Sequence, residues 1–355
     1  MNWGLMRPRM IANFAVTYKC TGRCRNCNIW KIEALIAKEL TLEEIRAFFD
    51  SNRSFLRDIE SIQITGGEPF MRADLADIVS TIRESIPRCS FWIPTNGIAP
   101  SEIEGATRKM MERLGGWGLG VSVSIDGLAP TNDSIRGVKG GFKKAVETLG
   151  GLSVLRGEYP GLNLSVGMTV TRENVEELAE VYKIAREHDA ELSLRTLNLS
   201  GVYYRNLGMR RPSEDLIGHL LPSLRGIGRD TVRRKGLWAS IPTLRYMQGL
   251  IEYVRHPVGP LLPCSAGSLS LFLDPYGDVY PCIFVDERLG NIREASLEEI
   301  WRSEVAAKAR RRIKDGDCPG CWVECEAYRD IRRDLRGLMV AGLKALISPS
   351  TLGIE

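Results

Sequence analysis

Three cysteines, Cys20, Cys24 and Cys27, share one short loop directly after a β-like run from Ile11 to Thr17. Cysteine thiolates are the usual protein ligands of iron–sulfur clusters, so this loop can hold three irons of a [4Fe–4S] cluster. The fourth iron would have no cysteine nearby and would be open to a small molecule, which points to catalysis rather than electron storage. A zinc knuckle is the competing reading. Structural zinc sites usually close four ligands from Cys-x2-Cys pairs, a pattern this triplet fits poorly. Downstream, the run 61–65 leads into Gly66-Gly67-Glu68-Pro69. Paired glycines let a backbone approach a ligand closely, and a carboxylate suits an ammonium group. The same residues would also serve an ordinary strand-ending turn.

A second group of cysteines lies toward the C-terminus. Cys264 is followed by twelve residues, Gly277, four residues and Cys282; Cys318-Pro319-Gly320-Cys321 and Cys325 come after. The stretch 269–282 reads as a hairpin turned at Asp274-Pro275-Tyr276-Gly277. A hairpin and a helix end that bring four thiolates together suit a second [4Fe–4S] cluster or a tetrahedral zinc ion, and the residues alone leave both open. Cys89 stands apart, next to the third strand, and reads as a small buried hydrophobe.

Taken together, the Cys20/Cys24/Cys27 loop, Gly66-Gly67-Glu68-Pro69 and the Cys-x12-Gly-x4-Cys opening resemble the radical S-adenosylmethionine (radical SAM) superfamily. The closest likeness is to its branch with a C-terminal SPASM or twitch extension, over nearly the whole chain. That resemblance implies an α/β fold: a partial (β/α)6 barrel, then a small SPASM/twitch-like α+β extension with a β-hairpin and helices. It also implies that Gly66, Gly67, Glu68 and Pro69 hold the amino group of the SAM methionine. Asn96, Ser124 and Asp126 at strand ends face the ribose and methionine, Arg136 sits in the loop after the fourth strand, and Thr169 and Val170 border the adenine. One departure concerns the aromatic residue that usually precedes the third cysteine. Here it is Asn26, so the adenine is expected to meet Ile29 or Trp30 instead. The implied metal ligands are Cys20, Cys24 and Cys27 for the SAM-binding cluster. Four of Cys264, Cys282, Cys318, Cys321 and Cys325 would hold one auxiliary [4Fe–4S] cluster, since a full SPASM module carries seven cysteines and this chain has five.

These motifs need a scaffold that delivers them to one end. Strand-like runs at 11–17, 61–65, 90–95, 119–125, 163–170 and 191–196 alternate with helical stretches near 41–50, 74–85, 102–114, 142–155 and 174–188. Such alternation predicts a parallel sheet with helical crossovers, with ligands at the carboxyl ends of the strands. Thr41-x-x-Glu44 has the form of a capping box. The expected organisation is a barrel over 1–196, a less regular bridging and substrate region over 197–263, an auxiliary cluster domain over 264–330, and an amphipathic helix and tail over 331–355. Tyr203, Tyr204, Trp238 and Tyr246 in the bridge either reach a substrate pocket or pack helices on the barrel.

With 355 residues, 44% hydrophobic, the chain can bury a sizeable core. A net charge of +4 with dispersed basic residues gives no reason to expect nucleic acid. The most basic stretch, 225–235, reads as a solvated face or an anion contact. No disulfide framework, apolar export segment or membrane-length run is evident, so a reducing cytoplasm is expected. From 331 to 347 apolar residues recur at helical spacing with Arg332, Arg333, Arg336 and Lys344 between them; the helix packs on its own protein or touches a membrane surface.

The resemblance implies a flavodoxin- or ferredoxin-type electron donor and reductive cleavage of SAM to a 5′-deoxyadenosyl radical that takes hydrogen from a substrate carbon. An auxiliary cluster would favour net oxidation or crosslinking of a peptide, a cofactor precursor or a lipid. Ile283 follows Cys282 where sulfatase-maturing relatives carry an aspartate, which disfavours that activity. The rival function is a non-catalytic iron–sulfur or zinc protein for electron transfer or assembly, against which the Gly66–Pro69 motif argues.

Overall fold

The computed structural model describes residues 10–33 and 35–355. Residues 1–9, read above for an export signal, lie outside the described residues. Six strands, β1 (Met10–Thr17), β2 (Ile59–Gly66), β3 (Ser90–Thr95), β4 (Trp117–Ser124), β5 (Gly161–Val170) and β6 (Glu191–Thr196), run parallel in the order 6-5-4-3-2-1. Helices α1 (Leu42–Ser51), α2 (Arg53–Leu56), α3 (Leu75–Ser85), α4 (Pro100–Arg113), α5 (Ala129–Arg136), α6 (Gly141–Glu158) and α7 (Leu178–Glu187) supply the crossovers. Strands covered by helices read as apolar runs rather than strict alternations. β6 does not pair with β1, which leaves the barrel partial.

The expected capping box is present: Thr41 accepts from the Glu44 amide and the Glu44 carboxylate accepts from the Thr41 amide, fixing the start of α1. The bridge differs from expectation, because most of it is helical. α8 (Ile217–Lys235) and α9 (Leu237–Arg255) each carry an internal proline, Pro222 and Pro242, which breaks the sequence pattern while the fold tolerates it. The basic stretch 225–235 is the last part of α8.

The C-terminal segment joins the same sheet. β7 (Ser270–Leu273) lies parallel beside β1, from Ile11 opposite Ser270 to Phe14 opposite Leu273; β8 (Asp278–Tyr280) and β9 (Gly290–Asn291) follow antiparallel. The hairpin turn closes as its residues demand: Asp274 Oδ1 accepts from the Tyr276 and Asp278 amides, and Gly277 takes φ +89°. Helices α10 (Leu297–Arg302), α11 (Glu304–Lys314), α12 (Glu324–Ile331) and α13 (Leu335–Ile347) complete the chain, α10 with a Ser296/Glu299 capping box. The amphipathic stretch from 331 is thus two helices, with Asp334 capping α13 through the Gly337 amide. α13 packs through Ala341, Gly342 and Ala345 and leaves Leu335, Met339, Leu343, Leu346 and Ile347 exposed. Among the described residues no helix is long and apolar enough to cross a membrane.

Candidate active site

The loop after β1 is held from three sides. Gly67 donates its amide to the Thr17 carbonyl at 2.8 Å and Glu68 donates to Lys19 at 2.7 Å. A Cβ on Gly66 would lie 2.2 Å from the Thr17 oxygen, and one on Gly67 2.1 Å from that of Lys19, so only glycine permits this approach. On the second side Arg23 and Arg25 donate their amides to the carbonyls of Arg136 and Ile135. Those carbonyls end α5 and would otherwise lack intrahelical partners. Gly137 closes that helix at φ +65°, where a Cβ would sit 2.6 Å from the Arg23 oxygen. Arg136 therefore ends a helix, not a loop as expected. The sequence 129–136 was obscured as a helix by its Pro130 and its polar residues.

The third side comes from the bridge. Asn28 donates its amide to the Tyr204 carbonyl at 2.8 Å and its side chain to that of Arg205; Asn206 donates to the Asn26 carbonyl at 3.1 Å. Tyr203 donates to the Gly66 carbonyl at 2.9 Å and shares a 2.5 Å hydrogen bond with Thr65. Ser200 and Trp322 then tie this loop onward, through the Ile283 carbonyl and the Asn198 side chain, to the C-terminal segment.

These anchors surround one cleft of about 140 Å³ at the carboxyl ends of the strands. Cys20, Cys24 and Cys27 line it with Gly66, Gly67, Glu68, Asn96, Ser124, Asp126, Arg136 and Thr169, all candidates singled out in the sequence. Asn26, Ile29 and Trp30 line it too. Pro69 instead begins a short 3-10 turn, and Val170 lies in the main core. Arg195, Thr196 and Tyr204 also line the cleft; in the sequence they stand out only as a strand end and half of an aromatic pair. The other bridge aromatics do not reach the cleft: Tyr246 stacks on Trp322 and Tyr328, and Trp238 is exposed.

Glu68 is buried, accepting from Thr95 Oγ1 at 2.9 Å and from the Asn96 amide at 2.7 Å. Burial pushes its carboxyl up to about 7 against those hydrogen bonds. An ammonium group placed beside it would restore its charge. Asp126 Oδ1 accepts from the Thr169 amide at 2.8 Å, while Oδ2 pairs with Arg136 Nε at 2.7 Å. Burial, reinforced by the Glu68 charge, pushes the Cys20 thiol up to about 11; burial pushes Cys27 up to about 12. Iron binding would displace those protons.

The residues fit a [4Fe–4S] cluster with SAM: three thiols, a tight glycine backbone and a buried carboxylate converge on one cleft. A second pocket brings together Cys264, Cys282, Cys318 and Cys321 with Glu326, whose Oε1 is buried without a hydrogen-bond partner. Cys325 is not among that pocket's lining residues; it packs in the apolar cluster that also holds Cys27, Tyr203, Tyr204, Cys264, Cys282 and Cys321. Among the described residues no three Cys, His, Asp or Glu groups are set to chelate a single ion. Cys89 is fully buried, as expected of a small hydrophobe.

Comparison with known proteins agrees with this geometry. Residues 14–185 match the model of the radical SAM superfamily, and residues 264–326 match SPASM, an iron–sulfur cluster-binding domain. The AdoMet-dependent heme synthase of Methanosarcina barkeri is 27% identical over 340 residues, 88% of each chain. The pre-heme d1 synthase of Dinoroseobacter shibae is 24% identical, over 88% of this chain and 79% of its own. Native anSMEcpe with bound AdoMet shares the fold at a TM-score of 0.62 and 15% identity, covering 96% of this chain and 99% of that one. The cleft and the second thiol pocket thus belong to a radical SAM enzyme with a C-terminal SPASM domain.

Proposed function

We propose that this enzyme performs a net oxidation on a cofactor precursor of the tetrapyrrole class. Bound SAM and its cluster would supply, on one-electron reduction, methionine and a 5′-deoxyadenosyl radical able to take hydrogen from an unactivated carbon. On this reading Cys20, Cys24 and Cys27 hold that cluster, Gly66, Gly67 and Glu68 receive the methionine amine, and Asn96, Ser124 and Thr169 meet the nucleoside. Asp126 and Arg136 brace the cysteine loop, and the electron enters from a flavodoxin- or ferredoxin-type donor. Residues 1–196 form the SAM-cleaving unit, 197–263 the bridge to the substrate, and 264–330 the auxiliary unit.

The observation that carries oxidation is one apolar cluster that holds Cys27, Tyr203 and Tyr204 together with Cys264, Cys282, Cys321 and Cys325. An auxiliary cluster that close to the cleft suits removal of an electron from substrate. The tetrapyrrole class is supported by the heme synthase and pre-heme d1 synthase relatives, whose alignments span most of both chains. Anaerobic turnover with iron coproporphyrin III, SAM and a strong reductant tests it. An oxidised tetrapyrrole formed in step with 5′-deoxyadenosine supports the reading, and 5′-deoxyadenosine with unchanged tetrapyrrole refutes it. We further propose that the exposed face of α13, rimmed by Arg333, Arg336 and Lys344, meets an anionic membrane surface. Co-flotation with phosphatidylserine-containing vesicles would support that contact, and recovery in the lipid-free fraction would refute it.

A further inference from the structure

The charges lining the cleft are nearly all committed. Glu68 is held by Thr95, Asn96 and the Phe70 amide, and Asp126 is paired with Arg136. Arg195 is the exception. It stands at the end of β6, half-buried, and its guanidinium makes neither a hydrogen bond nor an ion pair among the described residues. The ionisable groups nearest in influence are Tyr204, Asp126 and Glu324, with Arg136 as a like charge. None of them is within ion-pair distance.

A second observation points the same way. The adjacent Thr196 lines the same cleft fully buried, and its hydroxyl has no partner. A buried hydroxyl left unpaired is costly, so its retention beside an unpaired guanidinium is accounted for by a ligand that satisfies both. The Tyr204 ring completes the wall, packed 4.8 Å from Tyr203. Arginine presents a planar fork that matches a carboxylate with two parallel hydrogen bonds.

We propose that Arg195, with the Thr196 hydroxyl beside it, is the anchor for a carboxylate of the substrate. This rests on the tetrapyrrole reading above and deepens it, because it says how such a substrate is held: by an acidic side chain at β6, opposite the strands that carry Glu68 and Asn96. The carboxylate of SAM is the other source of the same chemistry. Arg136, already beside Cys24 at 4.0 Å, is the nearer cation to that cluster loop.

The test is a binding titration on the anaerobically reconstituted enzyme with SAM present, followed by the absorption shift of the tetrapyrrole. The probes are iron coproporphyrin III and its methyl ester, and the proteins are wild type, Arg195→Lys and Arg195→Gln. Wild type should bind the acid more tightly than the ester. Arg195→Gln should weaken the acid by about tenfold or more while binding the ester as wild type does, which also reports intact folding. Arg195→Lys should recover part of the loss. Equal binding of acid and ester by wild type, or no effect of Arg195→Gln on the acid, overturns the anchor and leaves the tetrapyrrole reading standing. Loss of SAM affinity in Arg195→Gln with the acid preference intact also overturns it, assigning the guanidinium to SAM. Failure of wild type to bind either probe overturns both the anchor and the tetrapyrrole reading.

Discussion

Asp126→Asn should be among the costliest isosteric changes in this protein. The Asp126 side chain is 1% exposed and that of Arg136 15%. The amide would keep an oxygen for the Thr169 amide at Oδ1, so that bond survives. What disappears is the negative charge 2.7 Å from Arg136 Nε, and Arg136 has no second carboxylate within ion-pair distance among the described residues. Removing one partner of a buried pair typically costs about 3–5 kcal/mol, because the other charge is left uncompensated. That is a large part of the roughly 5–15 kcal/mol by which a folded domain is stable. Removing both charges with Asp126→Asn and Arg136→Met together should return most of it. The assay is anaerobic urea unfolding of the reconstituted protein, followed by tryptophan fluorescence and far-UV circular dichroism, with coincident transitions required. A single-mutant loss under about 1 kcal/mol, or a double mutant as unstable as the two losses added, would refute the buried-pair argument.

Gly137→Ala must both adopt φ +65° and displace the Arg23 carbonyl from 2.6 Å. We expect a loss of about 1–3 kcal/mol and a lower iron content after reconstitution, measured by unfolding and by iron assay. Gly249→Ala would place a methyl 2.0 Å from the Trp322 ring, which stacks on Tyr246. A change in near-UV circular dichroism and a loss of about 1–3 kcal/mol should follow. Asp274 is pushed up to about 6 by burial, so the native state binds its proton more tightly than the unfolded chain does. Its stabilising contribution is present below about pH 4 and is lost as pH rises toward 6; Asp274→Asn should flatten the stability profile in that window, measured by urea midpoints across pH.

The fold was legible because the strands of a covered parallel sheet and their crossovers leave strong patterns, and the Thr41 capping box stands where its spacing put it. The glycine pair was legible for the same reason it is required: Gly66 and Gly67 admit the cysteine loop. α5 was hidden because its polar residues serve the site rather than a core face. α8 and α9 were hidden by Pro222 and Pro242, which long-range packing overrides. Arg195 and Thr196 carried no motif at all. Their significance lies in what they fail to pair with, and pairing is a property of the folded chain. Spacing leaves five C-terminal cysteines as candidate ligands; only the folded chain gathers Cys264, Cys282, Cys318 and Cys321 around one pocket and packs Cys325 in the apolar cluster beside three of them.

On the proposed reading, the Cys20/Cys24/Cys27 loop holds the cluster at which SAM is cleaved. Formation of 5′-deoxyadenosine from SAM and a strong reductant, compared between anaerobically reconstituted wild type and Cys24→Ala, tests it most directly. Product from wild type and none from Cys24→Ala is the predicted result. Equal product from both, or none from wild type carrying its full iron and sulfide, would contradict the account.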